Sequence, residues 1–370
     1  IPVQIVDVSH SFDEYEQNIV FTEFVENRIP HTELALRGSQ VFSRILQKVD
    51  EKSASDETSR QVMATGLAFE ASDDRNDEEN KIIFKEVIQT ELLEDEVLID
   101  VQATSINYQD DSEGANLYSR SCVGIVRQVG NSVTGFEKND TVIAWGEQAL
   151  TGRFTAKTNQ FIKKPSGITS SQAAHLASDY VTAWYALQEL AQIEKEDWVL
   201  IHTHQWDVAL AAIQVARHVG AKVIATTASE ARKQFLSKIA VTHVLDEQNT
   251  NFQTQVLELT NGVGVQAVFN TLPSDIGAVR SVKSLASFGS YLEINLHRKS
   301  GGNPLNQAEN VAQFFVNSEH LMQQRPDKVQ KIMQKIVAQI ESEELAAPMV
   351  QSYSVSSLAE TLEEYERPDR

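Results

Sequence analysis

The rhythm of apolar and polar positions changes midway along the chain. From Ile82 to Ile143 apolar residues come in short β-rich runs, EVLIDVQATSIN and then GIVRQVGNSVTGFEKNDTVIAW, with Gly130, Asn131, Gly135 and Asn139 marking the turns. Short strands punctuated in this way predict an antiparallel β domain. After Ser170 the period lengthens. SSQAAHLASDYVTAWYALQEL carries apolar residues at helical spacing, and strand and helix units then repeat to about Asn295. That alternation predicts a parallel α/β sheet. Its first unit reads as a buried strand (Trp198 to His202), a turn, a helix (about Ala209 to Val219) and a second strand (Lys222 to Thr226), which is the opening βαβ of a Rossmann-type fold.

The ends are less regular. IPVQIVDV (Ile1 to Val8) reads as a strand, and HTELALRGSQVFSRIL places Leu34, Leu36, Val41 and Ile45 on one apolar surface, as in a small packing module. KSASDETSR (Lys52 to Arg60) reads as a linker and SDDRNDEEN (Ser72 to Asn80) as an acidic loop. The tail, from RPDKVQKIMQKIVAQIESEEL to SLAETLEEYE, predicts a helix, a short strand at Pro348 to Tyr353 that returns to the β domain, and a final helix. The expected organisation is therefore a packing module at 1–60, a β domain built from 61–170 and 341–370, and a nucleotide-type domain at 171–340.

Length and composition narrow the class. A chain of 370 residues exceeds one compact core and suits two domains. No run approaches the 18 or so apolar residues that a membrane span needs. The formal net charge of −20 repels nucleic acid and anionic lipid, and the linear sequence shows no basic patch to offset it. Cys122 is the only cysteine, so no internal disulfide and no multi-cysteine zinc lobe is possible, and a reducing cytoplasmic setting is expected. His202 and His204 have i, i+2 spacing without an evident carboxylate partner, so no metal site is expected. The first residues lack an initiator Met and a signal-peptide pattern, as expected of a segment cut from a longer protein.

Several segments in order carry a resemblance. They are ELALRG (Glu33 to Gly38), SINYQD (Ser105 to Asp110), GNSVTGFEKNDTV (Gly130 to Val142), YVTAWYALQ (Tyr180 to Gln188), Val199 to His202, Ala211 to Ala221, VFNTL (Val268 to Leu272), GSYLEI (Gly289 to Ile294) and QQRPD (Gln323 to Asp327). Together they resemble the medium-chain dehydrogenase/reductase superfamily, most closely the enoyl reductase domains of polyketide and fatty acid synthases, and ELALRG favours a synthase domain over a free-standing quinone reductase. The resemblance implies a doubly wound Rossmann-type sheet beside a GroES-like antiparallel β domain. It also implies NADPH as the cofactor of an active member, and an acyl carrier protein and neighbouring ketoreductase and dehydratase domains as partners.

This chain departs from that pattern where the chemistry lies. The family's Gly-Gly-Val-Gly falls on Trp206, Asp207, Val208 and Ala209. Glycines serve there because the turn needs positive φ and the pyrophosphate must touch bare N–H groups at a helix N-terminus. An indole is expected to fill that space, and a carboxylate about 4 Å from a phosphate charge adds roughly 4 kcal/mol of repulsion at a surface-like dielectric. Asp207 is also a good helix N-cap, which would replace the ligand. Ser229 and Lys233 fall on positions that hold the 2′-phosphate of NADPH in the family, although a Ser at a helix start and a Lys on its surface are commonplace. Thr182 and Asn270 are further candidate remnants of the cofactor site.

The resemblance further implies a Lys and an Asp, sometimes with a Tyr, that handle the proton delivered to the α-carbon. Those positions fall on Leu296, Asn317 and Tyr108, with Tyr118 a second tyrosine nearby and Arg298 and Lys299 as flanking cations. RSCVG (Arg120 to Gly124) stands where the family has an acidic residue. The leading expectation is an enoyl-reductase-like domain with a degenerate cofactor motif, no intact catalytic set and no cofactor. The alternatives are an active NADPH-dependent enoyl-thioester reductase with an unusual site, and a free-standing quinone or carbonyl reductase.

Overall fold

In a computed structural model the described residues are 5–7, 33–37, 40–43, 69–74, 81–86, 91–111, 114–146, 150–239, 241–249, 251–272, 275–294, 310–355 and 358. Internal contacts divide the chain into two units, Ile1–Gln89 with Tyr353–Arg370, and Thr90–Ser352.

In the first unit β1 (Ile5–Asp7) runs parallel to β2 (Glu33–Arg37), which pairs antiparallel with β3 (Gln40–Ser43). A hairpin follows, β4 (Phe69–Asp74) with β5 (Lys81–Glu86). The acidic loop expected from Ser72 therefore begins later: Ser72, Asp73 and Asp74 pair with Ile83, Ile82 and Lys81, because KIIFKE supplies a ladder partner. Ile45 and the remainder of the Ile1 to Val8 run lie outside the described residues.

The second unit carries two sheets. Strands β6 (Glu96–Thr104), β9 (Ser121–Val129), β10 (Thr141–Trp145), β11 (Arg153–Lys157) and β12 (Phe161–Lys163) form an antiparallel sheet in the order β11-β6-β9-β10-β12, and a hairpin of β7 (Asn107–Asp111) and β8 (Gly114–Tyr118) connects β6 to β9. Gly124 is required in β9, since a Cβ there would lie 2.3 Å from the Asp100 carbonyl oxygen of β6. Val97, Ile99, Cys122, Val126, Val142, Ala144 and Phe161 fill this core. Cys122 is fully buried and its thiol is pushed up to about 12 by burial, so it acts as a small hydrophobe.

A helical stretch then leads to the second sheet. Helix α1 (Ser170–Ala174) starts on a Thr169–Gln172 capping box, and α2 (Val181–Trp184) lies between two wider π-helical segments, Leu176–Tyr180 and Tyr185–Leu190. The sheet comprises β13 (Trp198–His202), β14 (Lys222–Thr227), β15 (His243–Asp246), β16 (Val265–Asn270), β17 (Leu285–Glu293) and β18 (Ala312–Phe315). All its pairings are parallel, in the order β15-β14-β13-β16-β17-β18, with the chain reversing direction of travel at β13. This is the doubly wound order whose ligands bind where the order reverses. Helices α3 (Trp206–Val219), α4 (Glu230–Lys238), α5 (Phe252–Leu259) and α6 (Asp275–Val282) alternate with these strands. Then come α7 (Ser318–Gln324) and α8 (Pro326–Glu341).

Two expectations need correction. Helix α3 begins at Trp206, three residues before the predicted start, because the polar residues that ended the sequence periodicity still adopt helical geometry. It stops at Gly220, whose φ of 86° a side chain would strain. Pro348 to Tyr353 forms no strand. Pro348 has no N–H for a ladder, and side chains hold this region instead: Gln172 Nε2 donates to the Pro348 carbonyl at 3.1 Å, and the Tyr180 hydroxyl to that of Ala346 at 3.0 Å.

Candidate functional site

The C-terminal end of β13 stands at the reversal point, and the turn that follows it is braced from the next strand over. The N–H groups of His204 and Gln205 donate to the Thr271 hydroxyl at 3.1 and 3.3 Å, and that hydroxyl donates to the His202 carbonyl at 2.7 Å. Thr203 donates to the Thr226 carbonyl at 2.8 Å. Two amides of a loop that in a nucleotide site faces phosphate are thus occupied by a side chain of the protein. His202 is buried with Nδ1 2.7 Å from the Thr226 hydroxyl and Nε2 2.7 Å from that of Ser281. Burial pushes its pKa down to about 3, so it is a neutral core residue. Among the described residues no group of three or more His, Cys, Asp or Glu is placed to hold a metal ion.

Helix α3 is not capped by Asp207. Gln205 occupies the N-cap position, no side chain caps the helix, and Asp207 lies inside the first turn, because the helix begins one residue before it. Nor does Trp206 turn its indole into the phosphate loop. It leans across to α4, edge-on to Phe235 with ring centroids 5.6 Å apart and with the Arg232 guanidinium 4.8 Å from its centre. Arg232 also donates to the Thr203 carbonyl at 3.3 Å. The indole therefore bridges the groove between the first and second strand–helix units, the side from which a ribose would enter a Rossmann site. Such a cation–π contact contributes about 0.5–2 kcal/mol depending on desolvation.

The local electrostatics are acidic. Asp179, in the first π-helical segment, is nearly buried and lies 3.0 Å from His175 Nδ1. The Asp207 carboxyl is raised to about 6, first by burial and then by the negative charge of Asp179, while His175 and Arg232 pull it back. Protein atoms crowd Asp207, yet the residue stays solvent-exposed. Asp179 and His175 were missed by sequence reading: they sit in an otherwise apolar helical run and only the packing of that run on α3 brings them to Asp207. The available signal was a carboxylate at an apolar position of the run.

The remaining site residues divide between structural duty and no evident partner. Val208 is half-buried and Ala209 fully buried in the main core cluster. The Ser229 hydroxyl accepts from the Arg232 N–H as the N-cap of α4, and Lys233 is exposed, 4.0 Å from Glu230. The Thr182 hydroxyl donates to the Ser178 carbonyl at 2.6 Å. Asn317 caps α7, its side chain accepting from the His320 N–H at 2.8 Å. Asn270 is fully buried, donating to Glu293 Oε1 at 3.0 Å, while its own Oδ1 has no partner. Tyr108 and Tyr118 lie in the β7–β8 hairpin, and Leu296, Arg298 and Lys299 lie outside the described residues. Arg120 pairs with Glu319 of α7.

Set against an NADPH molecule, these residues fit poorly. The start of α3 has no side-chain cap and the buried Asn270 oxygen has no partner, but Asp207 in the first turn, the negative charge of Asp179 behind it and an indole packed edge-on against α4 suit neither a pyrophosphate nor a ribose.

The fold defines a class, a chain with a GroES-like β domain and a Rossmann-type sheet. Residues 208–334 match the family model for zinc-binding dehydrogenases. Among curated proteins, the chain is 26% identical over 279 residues to a phenolphthiocerol/phthiocerol polyketide synthase of Mycobacterium tuberculosis, covering 72% of this chain and 13% of that protein. It is 30% identical over 258 residues to the highly reducing polyketide synthase dmxL2 of Cryptosporiopsis sp., covering 66% of this chain and 11% of that one. The chain thus spans only about an eighth of the curated relatives it matches. Among solved structures, the CurK enoyl reductase shares its fold with a TM-score of 0.73 at 22% identity, over 82% of this chain and 97% of that one. The Escherichia coli quinone oxidoreductase complexed with NADPH does so with a TM-score of 0.66 at 20% identity, over 81% and 97%. The chain is thus similar to polyketide synthases over about two thirds of its length and shares its fold with an enoyl reductase and a quinone oxidoreductase.

Proposed function

We propose that this chain is the enoyl-reductase-shaped domain of a polyketide synthase that no longer binds NADPH and leaves the α,β double bond of a carrier-protein-tethered intermediate unreduced. It packs as a structural element beside neighbouring ketoreductase and dehydratase domains in the cytoplasm. Residues 1–60 serve as the packing module, 61–170 and 341–370 as the GroES-like domain, and 171–340 as the degenerate nucleotide domain. One observation carries this reading: the phosphate turn has lost its glycines and presents Asp207 beside Asp179, with Trp206 locked against Phe235 and Arg232. Leu296 and Asn317, at the proton-handling positions of the resembled enzymes, support it, since neither is an acid.

The uncapped α3 and the unpartnered Asn270 oxygen favour the rival reading, an active NADPH-dependent enoyl-thioester reductase. A free-standing quinone or carbonyl reductase has less support, because the sequence relatives are synthases and ELALRG resembles a synthase linker. Calorimetric titration with NADPH decides the main question. The proposal expects no saturable binding, and a Kd below about 100 μM, equivalent to roughly 5.5 kcal/mol, overturns it.

A further inference from the structure

The structure brings together a basic patch that the linear sequence hides. Along α8, Lys328, Lys331 and Lys335 recur at helical spacing and line one cavity with Arg325, which immediately precedes the helix. The cavity has a volume of about 260 Å³, with Glu189, Asp327 and Ile332 completing its wall. Four cations therefore face two carboxylates, and the charges are unevenly matched. Glu189 is shared, lying 3.4 Å from Lys328 and 3.0 Å from Lys335, and Asp327 is taken by Arg325 at 3.2 Å. Lys331 has no ion-pair partner among the described residues. Two positive charges therefore remain in excess along the first three turns of this helix.

We infer that this cavity is a phosphate-binding site, taking a phosphate monoester or diphosphate group between Lys331, Lys335, Lys328 and Arg325. A tetrahedral polyanion is met by several flexible ammonium groups and a guanidinium fork, each a charge-assisted donor. The cavity is far smaller than a protein-docking face and suits a small charged group. On a chain whose net charge is −20, anions are repelled elsewhere, so a local cationic excess directs them here. Ile332, fully buried beneath the cations, gives the site an apolar floor.

Calorimetry on the full chain at low ionic strength tests this, with sodium pyrophosphate in one arm and a phosphoserine peptide in the other. Saturable binding of either, with a Kd below about 1 mM, supports the site, and which arm binds tells a free phosphate from a protein-borne one. Lys331→Glu, an exposed change, is expected to weaken binding by about tenfold, equivalent to 1.4 kcal/mol, at an unchanged melting midpoint. Lys335→Gln is expected to weaken it less, and Asp207→Asn not at all. No binding in either arm up to about 10 mM, or binding that Asp207→Asn changes and Lys331→Glu does not, overturns the inference.

Discussion

Neutralising Asp207 is expected to stabilise this protein, with a gain that develops as pH rises from about 4 to about 6. Its carboxyl rises from 3.8 to about 6 in the fold. A shift of that size corresponds to a ceiling of about 3 kcal/mol at 1.36 kcal/mol per pH unit. Because the residue is exposed, solvent screening reduces this to about 1 kcal/mol. The helix dipole works in the opposite direction, since a carboxylate in the first turn of α3 gains about 0.3–1 kcal/mol, so the net cost of the charge is at most about 0.7 kcal/mol. The folded pKa is the higher one, so the folded state takes up the proton first. The associated stability is fully present below the unfolded value near 3.8 and is lost as pH climbs through 6. Asp207→Asn removes that loss. Thermal unfolding of the wild-type and variant chains from pH 4.5 to 8 should show a variant advantage that grows up to pH 6 and then levels off at about 2 °C. Equal midpoints at every pH, or a variant less stable at pH 8, would show that the dipole outweighs the burial and the Asp179 charge, and the account of an electrostatically strained turn would fail.

Restoring glycine at Trp206, Asp207 and Ala209 together is expected to free the groove between α3 and α4 and bring NADPH binding into the range below about 1 mM. If calorimetry detects none, Asp179 and the Thr271 brace are sufficient to block the cofactor, which Asp179→Val in the same background would reveal. His202 predicts acid sensitivity. Its folded pKa of about 3 lies below the unfolded value near 6.5, so its contribution is intact above 6.5 and is lost as pH falls towards 3. At pH 5 that is about 2 kcal/mol, and His202→Gln should flatten the decline of denaturant midpoint between pH 6.5 and 5 while lowering stability at pH 7. Ile336, fully buried on α8, should cost about 2–5 kcal/mol when truncated to Ala, read from the same denaturation curves. A loss under 1 kcal/mol would mean that α8 is less firmly packed than its burial indicates.

The architecture was largely legible in the residues, because hydrophobic period is a local property. The strand Trp198–His202, the parallel alternation after Ser170 and the antiparallel runs before it all follow from spacing, and Trp206, Asp207 and Ala209 are visible in the sequence where the resembled family has glycines. What spacing could not reveal is the direction a side chain takes and the company it keeps. Asp207 reads as a cap until the helix is seen to begin at Trp206, and Trp206 reads as a plug in the loop until its indole is found on Phe235. Asp179 reaches the turn only because its helical segment packs on α3 from a distant stretch of the chain. The basic cavity was hidden for the same reason: its cations are diluted along an acidic sequence and meet only when α8 stacks them turn upon turn beside Glu189. Sequence determines which faces are apolar, whereas charge–charge contacts depend on distances that only folding sets.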